Sequence, residues 1–368
     1  MTRVWLTCAA ACLCPFWFAA RLMHGSAVTF KVGMASRTFA PKGPYNWRGA
    51  KTHGLLTTVW YPALPSADEQ PLSVPGLSQI FELGSVASNA AFPASPAQFP
   101  LIALSHGTGG SALSLAWFGE ALAARGYIVA AVNHPGNNAT EPYTAEGFST
   151  WWERAKDLSV VIDNMLADPE FGRRIDASRI GAAGFSLGGC TMIEIAGGRT
   201  DPAAYLEFCA SARADAICKS PPEFPTLAED FKRMSASNPE FQAELRHARD
   251  SYRDPRVRAV FAMAPALGPA FRPESLKQIS IPVEIVAGQG DRNVPIASSA
   301  EYFRANIPGA KLKIFPGQVG HYTFLDSCPQ HGAKLPPLLC QDEAGVDRDE
   351  VHKRAVELAA QFFQANLR

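Results

Sequence analysis

Three side chains that are far apart in the sequence have the types and the order needed for nucleophilic catalysis. Ser186 lies in the Gly-x-Ser-x-Gly pentapeptide at 184–188, after an apolar run and before a helix-compatible segment. A strand, this pentapeptide and a helix form a sharp turn that leaves the serine hydroxyl exposed. A hydroxyl becomes a nucleophile when a base takes its proton and an acid orients that base. The sequence therefore predicts that Ser186 is a nucleophile.

The base is expected downstream of the nucleophile, because the order after such a turn is serine, acid, histidine. Four histidines follow Ser186. His321 stands on a glycine-rich turn after the last predicted strand, and we expect it to be the base. His247 falls in a charged segment and His331 in a cysteine-bounded loop. His352 lies beside an apolar helical stripe, where we expect a solvated histidine.

The acid is expected between the nucleophile and the base, directly after a strand. Asp291 follows the apolar run 283–287 and a short glycine-containing turn, and we predict that it is the acid. An aspartate after glycine is also common in turns without any catalytic role. Asp326, just beyond His321, is the alternative acid.

Two backbone N–H groups are needed to hold the negative oxygen that forms during acyl transfer. One is expected from Leu187, the residue after the nucleophile, and the other from Thr108 in the Ser-His-Gly-Thr-Gly-Gly loop at 105–110. We interpret His106 in that loop as a packing residue, because it precedes Ser186 in the chain.

Other residues are candidates for the walls of a substrate pocket. His134 ends a neighbouring strand, and Trp151 and Trp152 begin a predicted helix. A tryptophan pair at a helix start is more often part of the core than a substrate contact. The sequence has no phosphate loop, dinucleotide fingerprint or Cys/His metal cluster, so we expect neither a cofactor nor a metal.

The elements that must position these residues alternate between strand and helix. Apolar runs that end at glycine or at a polar loop predict buried strands, and apolar positions at helical spacing predict the helices. The predicted strands are 28–39, 55–61, 99–104, 127–132, 179–183, 257–264, 283–287 and 311–315, and the predicted helices are 112–125, 151–166, 189–196 and 351–367. We expect residues 62–100 to form a long irregular connection. This order predicts an α/β fold with a mostly parallel sheet, which brings Ser186 and Asp291 to one edge.

The alternation is interrupted between 197 and 255, where the chain is charged and mostly helical. A long insertion between the nucleophile's helix and the next strand is well placed to cover the site, and we expect a cap or lid. A solvated surface insertion without a role in the site is the alternative. The predicted organisation is a signal peptide at 1–27 and one catalytic domain at 28–368.

The N-terminus has the pattern of an export signal, with Arg3 ahead of an apolar run at 4–20 and small residues before a cleavage site near Val28. A retained membrane anchor is the alternative, and a lipoprotein at Cys12 is a weaker one. We expect the mature protein to be periplasmic or secreted, with no stable membrane span.

Cysteine use agrees with export. Cys209 and Cys218 flank a short charged segment, Cys328 and Cys340 bracket a proline-rich loop, and Cys190 is left on the helix after the pentapeptide. We expect two local disulfides and one buried thiol, as in an oxidising compartment; five reduced cysteines are the alternative.

The charge of the chain excludes some partners. The 368 residues carry 34 basic and 34 acidic side chains and are 47% hydrophobic. This balance gives no reason to expect nucleic acid or an anionic membrane as partner. A small-molecule ester is the expected partner, and the sequence does not indicate an oligomeric state.

Together these motifs resemble the α/β-hydrolase superfamily and, within it, the bacterial group named predicted dienelactone hydrolases, relatives of platelet-activating-factor acetylhydrolase. The segments that carry the resemblance are 59–62, 104–109, 184–189, 264–268 and 320–321. The resemblance implies the α/β-hydrolase fold and a hydrolytic activity without a cofactor.

The chain departs from that group in two places. Dienelactone hydrolases use a cysteine nucleophile, whereas this chain has Ser186. The acetylhydrolases carry their acid after the sixth strand, where residues 263–266 of this chain contain no carboxylate, so Asp291 must serve. Phospholipid specificity is therefore not expected.

The hypothesis that results is a serine carboxylic-ester hydrolase that acts through an acyl-enzyme. The same triad performs amide or peptide hydrolysis and acyl transfer, so these activities are alternatives. A non-catalytic binding protein on this scaffold is a further alternative, which predicts a missing triad member.

Overall fold

The computed structural model describes residues 1–2, 29–329 and 336–368. Apart from its first two residues, the predicted signal peptide lies outside the described residues, as do the predicted cleavage site at Val28 and His331. No helix in the described ranges is both long enough and apolar enough to cross a membrane.

Within the described residues, ten strands form one sheet through the centre of the molecule. In chain order they are β1 (Lys31–Phe39), β2 (Leu55–Ala63), β3 (Gln70–Pro71), β4 (Ser85–Ser88), β5 (Phe99–Ser105), β6 (Ile128–Val132), β7 (Ile175–Phe185), β8 (Val257–Met263), β9 (Val283–Gly288) and β10 (Lys311–Phe315). Their order across the sheet is β10-β9-β8-β7-β5-β6-β2-β1-β4-β3. Strands β5 to β10 run parallel, and β2 runs antiparallel to both neighbours. The prediction of a mostly parallel sheet is confirmed.

Helices cover both faces of this sheet. They are α1 (Ala116–Ala123), α2 (Ala145–Ser149), α3 (Glu153–Ala167), α4 (Leu187–Ile195), α5 (Pro202–Cys209), α6 (Leu227–Ser237), α7 (Pro239–His247), α8 (Pro273–Leu276), α9 (Ala300–Asn306), α10 (Pro337–Cys340) and α11 (Arg348–Asn366). Helices α3, α4 and α9 pack on one face, and α1 and α11 pack on the other. Of these, α9 was not predicted, nor were the short helices α2, α8 and α10.

Strand β5 illustrates why the sheet is buried on both sides. Successive side chains of a strand point to opposite faces. Leu101 and Ala103 join the core under α3, whereas Ile102 and Leu104 join the core under α1 and α11. A continuous apolar run is therefore what this position in the sheet requires, and the run stops where the strand reaches the site.

The region between 62 and 100 differs from the expected irregular connection. It contains β3, β4 and a short 3-10 turn at Leu77–Gln79. Strand β4 pairs in parallel with β1, and β3 pairs antiparallel with β4, so the region extends one edge of the sheet. These strands are two and four residues long, too short for a periodic apolar pattern to reveal.

Residues 197–255, called the cap below, contain helices α5, α6 and α7 between α4 and β8. Two of these helices begin at clear local signals. The side chain of Asp201 accepts from backbone N–H groups in the first turn of α5, and that of Asn238 does the same in α7. A proline directly follows each of these two N-terminal residues. The only strand-like pairing of the cap among the described residues is an isolated bridge between Thr200 and Phe271.

In the part of the chain that the structure describes, two disulfides close local loops. Cys209 and Cys218 are joined within the cap, with an S–S distance of 2.02 Å, and Cys328 and Cys340 are joined near the C-terminus. Cys190 is a free, buried thiol. The bridges pair cysteines that are close in sequence, as expected.

Candidate active site

Ser186 lies at the turn between β7 and α4 with φ 56° and ψ −115°, a conformation that few residues other than glycine adopt. The glycines on either side are required by close approach. A Cβ atom on Gly184 would lie 2.3 Å from the carbonyl oxygen of Gly188, and one on Gly188 would lie 2.0 Å from that of Ser105. The turn therefore has the geometry of the predicted nucleophile elbow.

The structure brings the three predicted catalytic side chains into one hydrogen-bonded chain. His321 Nε2 lies 2.8 Å from Ser186 Oγ, and His321 Nδ1 lies 2.7 Å from Asp291 Oδ2. Because a carboxylate only accepts, Nδ1–H donates to Asp291 and Nε2 accepts from the serine hydroxyl. All three are at most 7% exposed. This arrangement can deprotonate the hydroxyl when an acyl carbon approaches it.

The loop after β9 fixes Asp291. Its second carboxylate oxygen, Oδ1, accepts from the backbone N–H groups of Asn293 at 2.9 Å and Val294 at 2.8 Å. These bonds hold the carboxylate at an angle that leaves Oδ2 for His321.

Asp326, the alternative acid, lies elsewhere. Its oxygens accept from the N–H groups of Ala116 and Trp117 at 3.0 and 2.9 Å, so it stabilises the start of α1. Burial raises the pKa of Asp326 to about 8. Its hydrogen bonds therefore serve a helix end rather than His321.

The predicted oxyanion donors, Leu187 and Thr108, both line the cavity beside Ser186. The Leu187 N–H opens α4, where an N–H has no acceptor within the helix. Gly107 brings the other loop close, because a Cβ there would lie 3.3 Å from Ser186 Cβ. The Leu187 and Thr108 peptides thus both lie at the cavity that Ser186 lines.

The peptide that carries the Thr108 N–H is held from its opposite side. His106 Nε2 accepts from the His134 N–H at 3.2 Å, which leaves Nδ1–H to donate to Gly107 O at 2.6 Å. In a trans peptide the C=O and the following N–H point in opposite directions. Fixing Gly107 O therefore fixes the direction of the Thr108 N–H. Burial, chiefly, lowers the pKa of His106 well below its usual value, so the ring stays neutral.

A buried charged network supports the same loop from below. His134 Nε2 lies 2.9 Å from Ser105 Oγ, its Nδ1 lies 2.6 Å from Asp157 Oδ2, and Arg48 donates to Asp157 at 2.7 Å. Arg154 of α3 donates to the carbonyl oxygen of His106. Asp157 thus pairs with Arg48 and His134, whereas Arg154 meets only neutral acceptors among the described residues, so one buried positive charge lies directly beneath the loop without an ion-pair partner there.

The three candidates for substrate contact are placed differently from one another. Trp151 lines the cavity. His134 is fully buried in the network under the loop and is not among the cavity-lining residues. Trp152 is also fully buried, outside the cavity lining, and its Nε1 donates to Glu244 of α7 at 2.9 Å. The structure thus gives His134 and Trp152 supporting positions: His134 follows β6 and lies in the network below the loop, and Trp152 faces the cap.

His352 also differs from its expected place. It is buried, its ring stacks on Trp117 with centroids 3.8 Å apart, and Nε2 donates to Thr323 O at 2.8 Å. The prediction of a solvated histidine is therefore wrong, because the helix turns this side chain toward α1.

A cavity of about 720 Å³ opens above Ser186 and His321. The cap supplies one side of it, including Tyr205 and Phe231. The 62–100 region supplies another side through Leu77, Ile80 and Phe81, a contribution that the sequence did not indicate. A mainly apolar lining around a polar centre is typical of a small-molecule site.

The cavity also contains residues that sequence reasoning missed. Tyr143 donates from its hydroxyl to Gly109 O at 2.7 Å, and Glu223 of the cap lies against the same glycine. No pattern marked either residue, since both lie in loops. In the described ranges no group of three or more histidine, cysteine or acidic side chains is arranged to hold a metal.

Comparisons with known proteins add a family and several relatives. The sequence model of the family described as serine aminopeptidase, S33, matches residues 97–327, more than half of the chain. Cutinase est1 of Thermobifida alba is 33% identical over 112 residues, which are 30% of this chain and 34% of that protein. Lipase 1 of Moraxella sp. (strain TA144) is 32% identical over 93 residues, 25% of this chain and 26% of that protein. The chain thus spans about a third or less of the length of these curated relatives.

A solved structure extends the likeness to most of the chain. The ferulic acid esterase from Streptomyces cinnamoneus superposes with a TM-score of 0.60 at 22% identity, over 92% of this chain and 90% of that one. At this identity the likeness shows a common fold.

Proposed function

The chain belongs to the serine aminopeptidase S33 family of the α/β-hydrolase superfamily, and we propose that it is a serine hydrolase of carboxylic esters. The observation that carries the proposal is the hydrogen-bonded chain from Ser186 through His321 to Asp291, set at an elbow below an open cavity. The family supports the hydrolytic chemistry, and the named cutinase, lipase and ferulic acid esterase relatives support an ester as substrate.

In the proposed reaction His321 Nε2 takes the hydroxyl proton as Ser186 Oγ attacks the ester carbonyl carbon. The Leu187 and Thr108 N–H groups donate to the negative oxygen, each with a contribution of about 3 kcal/mol to barrier reduction. His321 then gives its proton to the leaving alcohol oxygen. A water molecule, deprotonated by His321, hydrolyses the acyl-enzyme and restores Ser186. Asp291 keeps the ring oriented and stabilises its charged form.

Amide or peptide hydrolysis is the second candidate, favoured by the description of the matched family as serine aminopeptidases. Acyl transfer to an acceptor other than water uses the same intermediate. Ester and amide hydrolysis differ in the leaving group, because an amine must receive its proton from His321 earlier in the reaction than an alkoxide does. A kinetic panel can therefore separate them.

The test is a panel of ester and amide substrates matched in their acyl groups, assayed with the wild type and with Ser186→Ala. We expect kcat/KM to be larger for the esters, and Ser186→Ala to reduce it at least about 10⁴-fold. Amides turned over faster than their matched esters would favour the second candidate. Undiminished hydrolysis by Ser186→Ala would exclude both.

The finer resemblance concerns the group of predicted dienelactone hydrolases. We infer that this chain is a relative of that group with a different nucleophile, because Ser186 stands where dienelactone hydrolases have a cysteine. Dienelactone itself is therefore not the proposed substrate.

We further propose an exported protein with a cleaved signal at 1–27 and a catalytic domain at 28–368, in which the cap covers the site. The bridges Cys209–Cys218 and Cys328–Cys340 fit an oxidising compartment. The N-terminal sequence of the mature protein tests this: a start near Val28 is expected, and retention of Met1 on membrane-bound protein would favour an anchor.

A further inference from the structure

Glu223 is the one acidic residue that lines the cavity in the described part of the chain. It lies in the cap, in the loop between the Cys209–Cys218 bridge and α6. Its stem packs on the loop at 105–110, called the oxyanion loop below, because a Cβ placed on Gly109 would lie 2.9 Å from Glu223 Cγ and 3.1 Å from Glu223 Cβ. The carboxylate is therefore held a short distance from where substrate must bind.

The loop that carries Glu223 is fixed by its neighbours. Prolines stand at 221, 222 and 225, and proline restricts the backbone to one φ. Phe224 packs against Phe148 with ring centroids 5.0 Å apart, and Cys218 is bridged to Cys209. Glu223 is thus presented by a stiff segment rather than by a free loop.

The charge of Glu223 is not neutralised by a partner. Across the described ranges no lysine or arginine forms an ion pair with it. The cations that line the cavity, Lys219 and Arg292, are exposed, so water and salt screen them. Burial raises the pKa of Glu223, and the nearby His321 lowers it. Burial raises the pKa of Tyr143 and Tyr322, whose side chains line the cavity, and the Glu223 carboxylate raises it further.

We propose that Glu223 is a specificity-determining residue: its half-buried carboxylate beside the oxyanion loop rejects esters that carry a negative charge and selects neutral ones. The inference rests on the proposed ester hydrolysis and adds the substrate class. An anionic group on the substrate would meet Glu223 in a cavity whose lining surface is mainly apolar, where like charges repel more strongly than in water. The apolar walls favour a neutral, apolar ester for a separate reason, because a charged group loses its hydration among them.

The test compares esters that differ by one carboxylate. On the acyl side the pair is 4-nitrophenyl butyrate and the mono-4-nitrophenyl ester of glutaric acid; on the alcohol side it is phenyl acetate and 4-carboxyphenyl acetate. For each pair the ratio of kcat/KM, neutral over anionic, is measured for the wild type and for Glu223→Gln. Glutamine keeps the shape and removes the charge.

We expect Glu223→Gln to reduce this ratio about tenfold in at least one pair, equivalent to about 1.4 kcal/mol. Glu229→Gln is the matched control, because Glu229 is exposed on α6 and outside the cavity lining, and removes the same charge from the cap. Its ratios should equal those of the wild type. A change below about threefold in both pairs with Glu223→Gln, or an equal change with Glu229→Gln, would overturn the proposal.

Binding measurements distinguish failure of the proposed ester hydrolysis from failure of the charge inference. Ser186→Ala and Ser186→Ala/Glu223→Gln are titrated calorimetrically with the same ester pairs, which they bind without turnover. If the wild type hydrolyses none of the esters, the proposed function fails. In that case a shift of at least threefold in the neutral-to-anionic affinity ratio with Glu223→Gln supports the charge inference, and a smaller shift overturns it.

Discussion

The two sides of the active-site cavity are built by opposite means. The floor, residues 105–110 and 184–189 with His321, lies at the carboxyl ends of parallel strands and is almost wholly buried, and residues 133–138, Asp291 and Arg154 support it. In the cap, each of the three helices buries a single residue: Phe208 in α5, Met234 in α6 and Phe241 in α7. Few buried contacts imply a low local cost of opening. For the proposed hydrolase, we therefore expect the chemistry that needs fixed geometry on the floor and the selection among substrates in the cap.

If this division is correct, changes on the floor should lower kcat, and changes in the cap should alter KM or selectivity.

The largest effect after loss of the nucleophile is expected from the acid. Asp291→Asn should reduce kcat about 10³- to 10⁴-fold with little change in stability, because the amide no longer holds His321 in the required tautomer. Steady-state kinetics and thermal unfolding measure both. Asp326→Asn is the control and should lower the melting temperature while kcat stays within threefold. The reverse pattern would make Asp326 the acid.

A smaller effect is expected from the buried arginine under the oxyanion loop. Arg154→Met removes the donor to His106 O, and kcat should fall about 10- to 100-fold with KM changed less than threefold. Arg249→Met is the matched cap variant, since Arg249 pairs with Asp201 at 2.8 Å and is largely exposed. It should leave kcat within twofold. Equal losses in the two variants would remove the distinction between floor and cap.

The smallest effect is expected from the cap disulfide. Cys209→Ser/Cys218→Ser should raise KM about three- to tenfold with kcat nearly unchanged, because the segment that presents Glu223 loses its tether. On the chain-entropy model the bridge contributes about 2–3 kcal/mol. Cys328→Ser/Cys340→Ser removes a bridge of similar loop length, and neither cysteine lines the cavity. An equal rise of KM in this control would mean that stability, and not the cap, sets KM.

The same division explains what the sequence could predict. The floor follows local rules: apolar runs predict β5, β7 and β9, and the residues after them reach one edge because parallel strands end there. The order of serine, aspartate and histidine then selected Ser186, Asp291 and His321, whose side chains the structure places in hydrogen-bonding contact.

The cap does not follow from such rules. Its helices could be expected from composition, but the position of Glu223 above Gly109 depends on the path of the chain through short helices and proline turns. The wall formed by Leu77, Ile80 and Phe81 was also missed, because the 3-10 turn that begins at Leu77 and the strands on either side of it are too short to show periodicity. His134 shows that a position at the correct edge of the sheet does not by itself predict a cavity-lining side chain. It follows a strand at the correct edge, yet its side chain turns into the buried network.

The central claim, that Ser186 is an activated nucleophile, is tested most directly by covalent labelling. The folded protein is treated with a fluorophosphonate probe, and the adduct is located by mass spectrometry. We expect one adduct, on the peptide that contains Ser186, which is absent in Ser186→Ala and in protein unfolded before treatment. No adduct on the folded wild type, or an adduct that persists in Ser186→Ala, would contradict it.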